Sequence, residues 1–131
     1  MGGRTSHRKE LQNVAKKYQK NSFTPPPMNK EDGMALARSF KKKLIAKGIP
    51  IHVLYLFGSV AQGTMRRDSD IDIAVVCEPF RKTRHEENVE FLRTRRDVDL
   101  RIETVCLHPE DMDNRYSTIA QEVKRCGTIV E

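Results

Sequence analysis

Two aspartates one residue apart, Asp70 and Asp72, stand in the segment Asp70-Ile71-Asp72-Ile73-Ala74-Val75. Side chains of a β-strand alternate faces with a period of two, so Ile71, Ile73 and Val75 share one face and the two aspartates the other. A later segment repeats the pattern, with Val98, Leu100 and Ile102 on one side and Asp97, Asp99, Arg101 and Glu103 opposite. If the two strands are neighbours with apolar faces aligned, three or more carboxylates converge on one patch. Clustered carboxylates repel, and a hard divalent cation relieves them: Mg²⁺ takes oxygen ligands and is often held by one or two carboxylates plus substrate phosphates. Taken alone, an Asp-x-Asp strand is more often a solvated sheet face, its acids paired here with Arg95, Arg96 and Arg101.

The residues just upstream change that balance. The apolar run Val53-Leu54-Tyr55-Leu56-Phe57 ends in Gly58-Ser59, and Val60 to Thr64 can form a short helix. A strand that turns at once into a helix offers backbone N–H groups and a hydroxyl to an anion. Glycine, having no Cβ, lets the backbone approach a phosphate closely. Phosphate cradle and metal ligands thus fall within 15 residues, Gly58 to Asp72. Phosphoryl or nucleotidyl transfer requires that combination.

The stretch Gly58-Ser59-Val60-Ala61-Gln62-Gly63-Thr64-Met65-Arg66-Arg67-Asp68-Ser69-Asp70-Ile71-Asp72 resembles the G-S-x(10)-D-x-D motif of nucleotidyltransferases of the DNA polymerase β superfamily. The short chain and the Val98-Asp99-Leu100 strand are similar to the minimal nucleotidyltransferase (MNT) branch. The resemblance covers roughly residues 30–131 and implies a small mixed β-sheet with helices packed mainly on one face. It implies that Gly58 and Ser59 bind the phosphates of a nucleotide. Asp70 and Asp72 would hold two Mg²⁺ ions, and Asp99 would match the third carboxylate, with Glu103 in reserve should the register differ. ATP would be the nucleotide, and a helical HEPN-type protein the partner that receives AMP on a hydroxyl, as in antitoxin pairs. Larger relatives carry a second, acceptor-recognising domain, for which about 100 core residues leave no room.

Elements that position these residues can be read along the chain. Asn29 with Asp32 three residues on is a variant of the capping box. Leu36, Ala37, Phe40 and Leu44 then mark one face of a helix that Gly48-Ile49-Pro50 ends. Strands are expected over Val53–Phe57, Asp70–Cys77 and Asp97–Val105, and helices over about Arg84–Arg93 and Tyr116–Arg125, with a helical turn at Pro109–Asp113. The alternation predicts an α/β or α+β domain over residues 28–131. Ahead of it, Leu11, Val14, Ala15 and Tyr18 predict an amphipathic basic helix, and Pro25-Pro26-Pro27 a stiff linker, so residues 1–27 form a separate tail.

Charge supports that division. The 131 residues carry a formal +6, and residues 1–30 hold seven basic groups and one acid, which leaves the remainder neutral. A nucleic-acid footprint therefore belongs to the tail, whose only aromatics are Tyr18 and Phe23, giving base stacking little support. Such a partner remains an alternative, as does a non-catalytic antitoxin or adaptor with the same fold. The apolar run Val53 to Phe57, which no other exceeds, is far short of the ~20 residues a bilayer span needs. With a polar, basic N-terminus, the expected compartment is the cytoplasm. Cys77, Cys106 and Cys126 have no zinc-like spacing and read as buried hydrophobes, and none of His7, His52, His85 and His108 shares a helix face with a second ligand.

Overall fold

A computed structural model describes residues 29–58 and 70–131 of the chain. The expected tail helix, the proline linker, Ser59 and the loop up to Ser69 lie outside the described residues. Helix α1 spans Lys30–Ala46, and its start is fixed by Asn29, whose Oδ1 accepts the Asp32 N–H at 2.8 Å. Strand β1 (Ile51–Phe57) follows, then β2 (Ile71–Cys77), α2 (Arg84–Arg95) and β3 (Ile102–Leu107). A single helical turn, α3 (Pro109–Met112), precedes α4 (Thr118–Cys126) and the two-residue strand β4 (Thr128–Ile129).

The sheet has the order β3-β2-β1-β4 and is mixed. β1 runs antiparallel to both β2 and β4, whereas β2 and β3, joined through α2, are parallel. One face buries Leu54, Leu56, Ile71, Ile73, Val75, Ile102 and Cys106 against Leu36, Phe40 and Leu44 of α1 and Phe91 of α2. The period of two assigns Asp72, Ala74 and Val76 to the other face, where Val123 of α4 joins Phe57, Ala74, Val76 and Leu107, with Ile119 and Met112 packed alongside. The two long helices cover one face fully, and the shorter α4 covers part of the second. Among the described residues, α4 leaves open the end where β1 stops and β2 and β3 begin.

Two expectations change here. β3 begins at Ile102, five residues later than the expected Asp97. Asp97, Val98 and Asp99 belong to the turn after α2, and Leu100, assigned to the apolar face of a strand, is 68% exposed. The side chain of Asp99 accounts for the delay: its Oδ1 accepts the N–H of Arg101 at 2.8 Å, a local turn that competes with the extended ladder. The second change is β4, which two residues after Gly127 add to the edge of β1 through Leu56–Thr128 and Tyr55–Ile129 pairs.

Candidate active site

The open end of the sheet gathers the chemistry. Phe57, the last residue of β1, pairs with Asp72 of β2, and Asp72 pairs on its other side with Glu103 of β3. Asp70, exposed, leads into β2. Asp72 is half-buried, and its carboxyl is pushed from the ordinary 3.8 up to about 6. Burial contributes most, followed by the negative charges of Glu103, Asp70 and Glu122 of α4. Like charge and desolvation both favour the neutral acid, a condition that a bound cation reverses.

Gly58 closes the site from the β1 side. Its φ of +74° lies in the left-handed region that glycine adopts without steric cost. A Cβ at this position would overlap the Oδ2 of Asp72, so the carboxylate packs directly on the Gly58 backbone. The glycine expected to admit a phosphate also seats the aspartate. Beside this end, Lys30, Glu31, Met34, Arg38 and Thr128 line an open hollow of about 420 Å³.

Asp99 lies outside the β2–β3 ladder. Three residues before β3, it holds Arg101 in a two-pronged pair, with Oδ1 accepting from Nε at 2.9 Å and Oδ2 from Nη2 at 2.6 Å. Glu103, the reserve residue, is the one in register with Asp72. Ser59 lies outside the described residues, as do Arg66 and Arg67 of the same loop.

A buried polar cluster on the opposite end escaped sequence reasoning. Donor atoms of Glu87, Cys106 and His108 lie within 4.8 Å of one another, a grouping that could suit a metal ion. The hydrogen bonds give a different account. Arg84 Nη2 lies 3.3 Å from His108 Nδ1, and a guanidinium can only donate, so Nδ1 accepts. The ring proton is then on Nε2, which donates to Glu87 Oε1 at 2.7 Å. Glu87 Oε2 accepts the Phe80 N–H at 2.6 Å, and the Cys106 thiol contacts Oε1 at 3.8 Å. Burial works against the Glu87 charge, but the Phe80 N–H, the His108 ring and the Arg81 N–H hold its carboxyl below the ordinary range. These side chains are hydrogen-bonded to one another and to the Phe80 N–H, and the cluster staples the β2–α2 loop. Of the three cysteines expected to be buried, Cys77 and Cys106 are, whereas Cys126 is only partly buried. The cluster's only sequence signal is an acid in the first turn of a helix and a histidine before Pro109, which is no signal of contact.

A mixed sheet with acids from adjacent strands converging beside a left-handed glycine defines the class as a nucleotidyltransferase fold. Residues 41–130 match the polymerase β nucleotidyltransferase family, and the chain belongs to that family. A 36-residue segment is 57% identical to the protein adenylyltransferase MntA of Shewanella oneidensis, covering 27% of this chain and 26% of that protein. The chain thus matches about a quarter of that relative's length. The fold is similar to a candidate nucleotidyltransferase from Sulfolobus solfataricus, with a TM-score of 0.56 at 17% identity over 76% of this chain and 80% of that one. It is also similar to a chain of a mutant MntA–HpeT toxin–antitoxin structure, with a TM-score of 0.50 at 24% identity over 70% and 68% of the two chains. Among the described residues, no helix is long and apolar enough to cross a membrane.

Proposed function

We propose that the chain is an active nucleotidyltransferase that moves AMP from ATP onto a hydroxyl of a helical HEPN-type partner protein, in a toxin–antitoxin pair of the cytoplasm. The observation that carries this reading is the pairing of Asp72 with Glu103 on neighbouring strands, with Asp72 packed against Gly58. The short match to an adenylyltransferase supports the choice of AMP, and the toxin–antitoxin neighbour supports a protein partner.

The donor set fits Mg²⁺. It is all oxygen, it is multiply negative, and the burial and repulsion that raise Asp72 are what a divalent ion offsets. Asp70, Asp72 and a third carboxylate, matched by motif to Asp99 and by register to Glu103, would hold two ions. Bound there, the ions supply charge stabilisation for the entering and leaving oxygens of an in-line displacement, from which pyrophosphate departs. The chain's own contribution is placement. Gly58 and Ser59 are the residues that the motif matches to the β- and γ-phosphates, and they would bind them. The third carboxylate eases removal of the acceptor's proton.

The test is incubation of the full chain with each of the four labelled nucleoside triphosphates, Mg²⁺ and the purified partner. Label transferred from ATP to the partner is the expected result. No transfer from any nucleotide would overturn the reading.

A further inference from the structure

We propose that Asp99 is a positioning residue, which through Arg101 fixes the backbone carrying Asp70 and Asp72, while Glu103 supplies the third carboxylate. The inference rests on the nucleotidyl-transfer reading above and assigns two roles within it. Both side-chain oxygens of Asp99 are engaged inside its own turn. Oδ1 accepts the Arg101 N–H at 2.8 Å and its Nε at 2.9 Å, and Oδ2 accepts Nη2 at 2.6 Å. The backbone carbonyl of Asp99 also accepts the Ile102 N–H at 3.2 Å.

The peptide clasped in this way begins the register between β2 and β3. The carbonyl of Arg101 accepts the N–H of Ile71 at 2.9 Å, and Ile71 stands between the two aspartates. One chain of hydrogen bonds therefore runs from the Asp99 carboxylate through the Arg101 peptide to the Ile71 amide. From there the ladder pairs Ile71 with Ile102 and then Asp72 with Glu103.

Charge separates the two acids further. A carboxylate in a two-pronged pair with a guanidinium is already compensated. Asp99 already shares both oxygens with Arg101, so a cation there would compete with the guanidinium for them. Glu103 faces Asp72 across the ladder as a like charge, and a shared cation relieves exactly that kind of contact in one step.

The test compares Asp99→Ala, Asp99→Ser and Glu103→Gln in the full chain, reading Mn²⁺ affinity and hydrogen exchange at the Ile71 amide. Asp99→Ala should lower Ile71 protection by about tenfold or more, the loss of roughly one hydrogen bond. Its Mn²⁺ affinity should stay within about tenfold of the parent. Glu103→Gln should leave Ile71 protection unchanged and weaken Mn²⁺ binding by about 100-fold. If Asp99→Ala does not fold, Asp99→Ser, which keeps one acceptor for the Arg101 N–H, should show the same pattern more weakly. Loss of Mn²⁺ affinity in an Asp99 variant, with Ile71 protection intact, would overturn the assignment. Neither readout needs turnover, so failure of the wild-type chain to transfer nucleotide counts against the proposed function alone.

Discussion

Replacing Gly58 by alanine superimposes two costs that the structure allows to be separated. At φ +74°, an L-residue pays about 1–2 kcal/mol for bringing Cβ towards the following carbonyl oxygen. Gly48 is the control, because its φ is +80° and nothing lies within 4 Å of where its Cβ would stand. Gly48→Ala should therefore lose only that ~1–2 kcal/mol. At Gly58 the methyl would also overlap the Asp72 Oδ2 and stand 3.0 Å from Cγ and 3.3 Å from Cβ. The carboxylate can rotate away, so the added strain is about 1 kcal/mol, for a total near 2–3 kcal/mol. The rotation nevertheless takes the carboxylate off the site. Urea denaturation of Gly48→Ala, Gly58→Ala, Asp72→Ala and the Gly58→Ala/Asp72→Ala double variant measures each part. The double variant should recover the collision part, a coupling of about 1 kcal/mol. Mn²⁺ binding should fall in Gly58→Ala and remain unchanged in Gly48→Ala. Equal costs at the two glycines, with no coupling to Asp72, would refute the packing of the carboxylate on Gly58.

Removal of metal should expose the strain at Asp72. Its carboxyl is raised from 3.8 to about 6, so the folded chain binds a proton that the unfolded chain lacks between those values. That stability is present below about pH 4 and lost as pH rises through 6. In EDTA, Tm should thus fall between pH 5 and 7 by the equivalent of about 1 kcal/mol after solvent screening, and Asp72→Asn should flatten the curve. Glu87→Ala leaves the Phe80 N–H and the His108 Nε2–H without their acceptor and should cost about 3 kcal/mol in urea unfolding. Added Zn²⁺ should leave the Tm of the wild-type chain unchanged, since a metal would have to displace the Nε2 proton and the bond it makes to Glu87. If residues 1–27 form the separate tail that the sequence predicts, deleting them should shift Tm by less than about 2 °C.

The parts of the site legible in the sequence are those governed by short-range geometry. Period-two alternation assigns Asp72 to the face opposite Ile71 and Ile73, and both isoleucines are fully buried. A glycine at the end of an apolar strand likewise anticipates the left-handed turn at Gly58. Alternation failed at Asp97–Arg101, where apolar and polar residues also take turns. There the hydrogen bond from Asp99 to the Arg101 amide outcompetes strand pairing, and side-chain pattern carries no information about such a local bond. Which residue faces Asp72 depends on the register of two strands joined by a helix, so the sequence left Asp99 and Glu103 as alternatives and only the ladder pairs Glu103 with Asp72. The same holds for Glu122, whose charge reaches Asp72 from a helix fifty residues later in the chain. β4 consists of two residues that pair only because β1 offers an open edge.

The central claim is that the acids at the open end of the sheet drive nucleotide transfer. Its most direct measurement is the rate of label transfer from ATP to the partner, in Mg²⁺, by the wild-type chain and by Asp70→Asn. Abolished transfer in a variant that keeps its fold and still binds the partner is the predicted result. Transfer by Asp70→Asn at the wild-type rate would contradict the account.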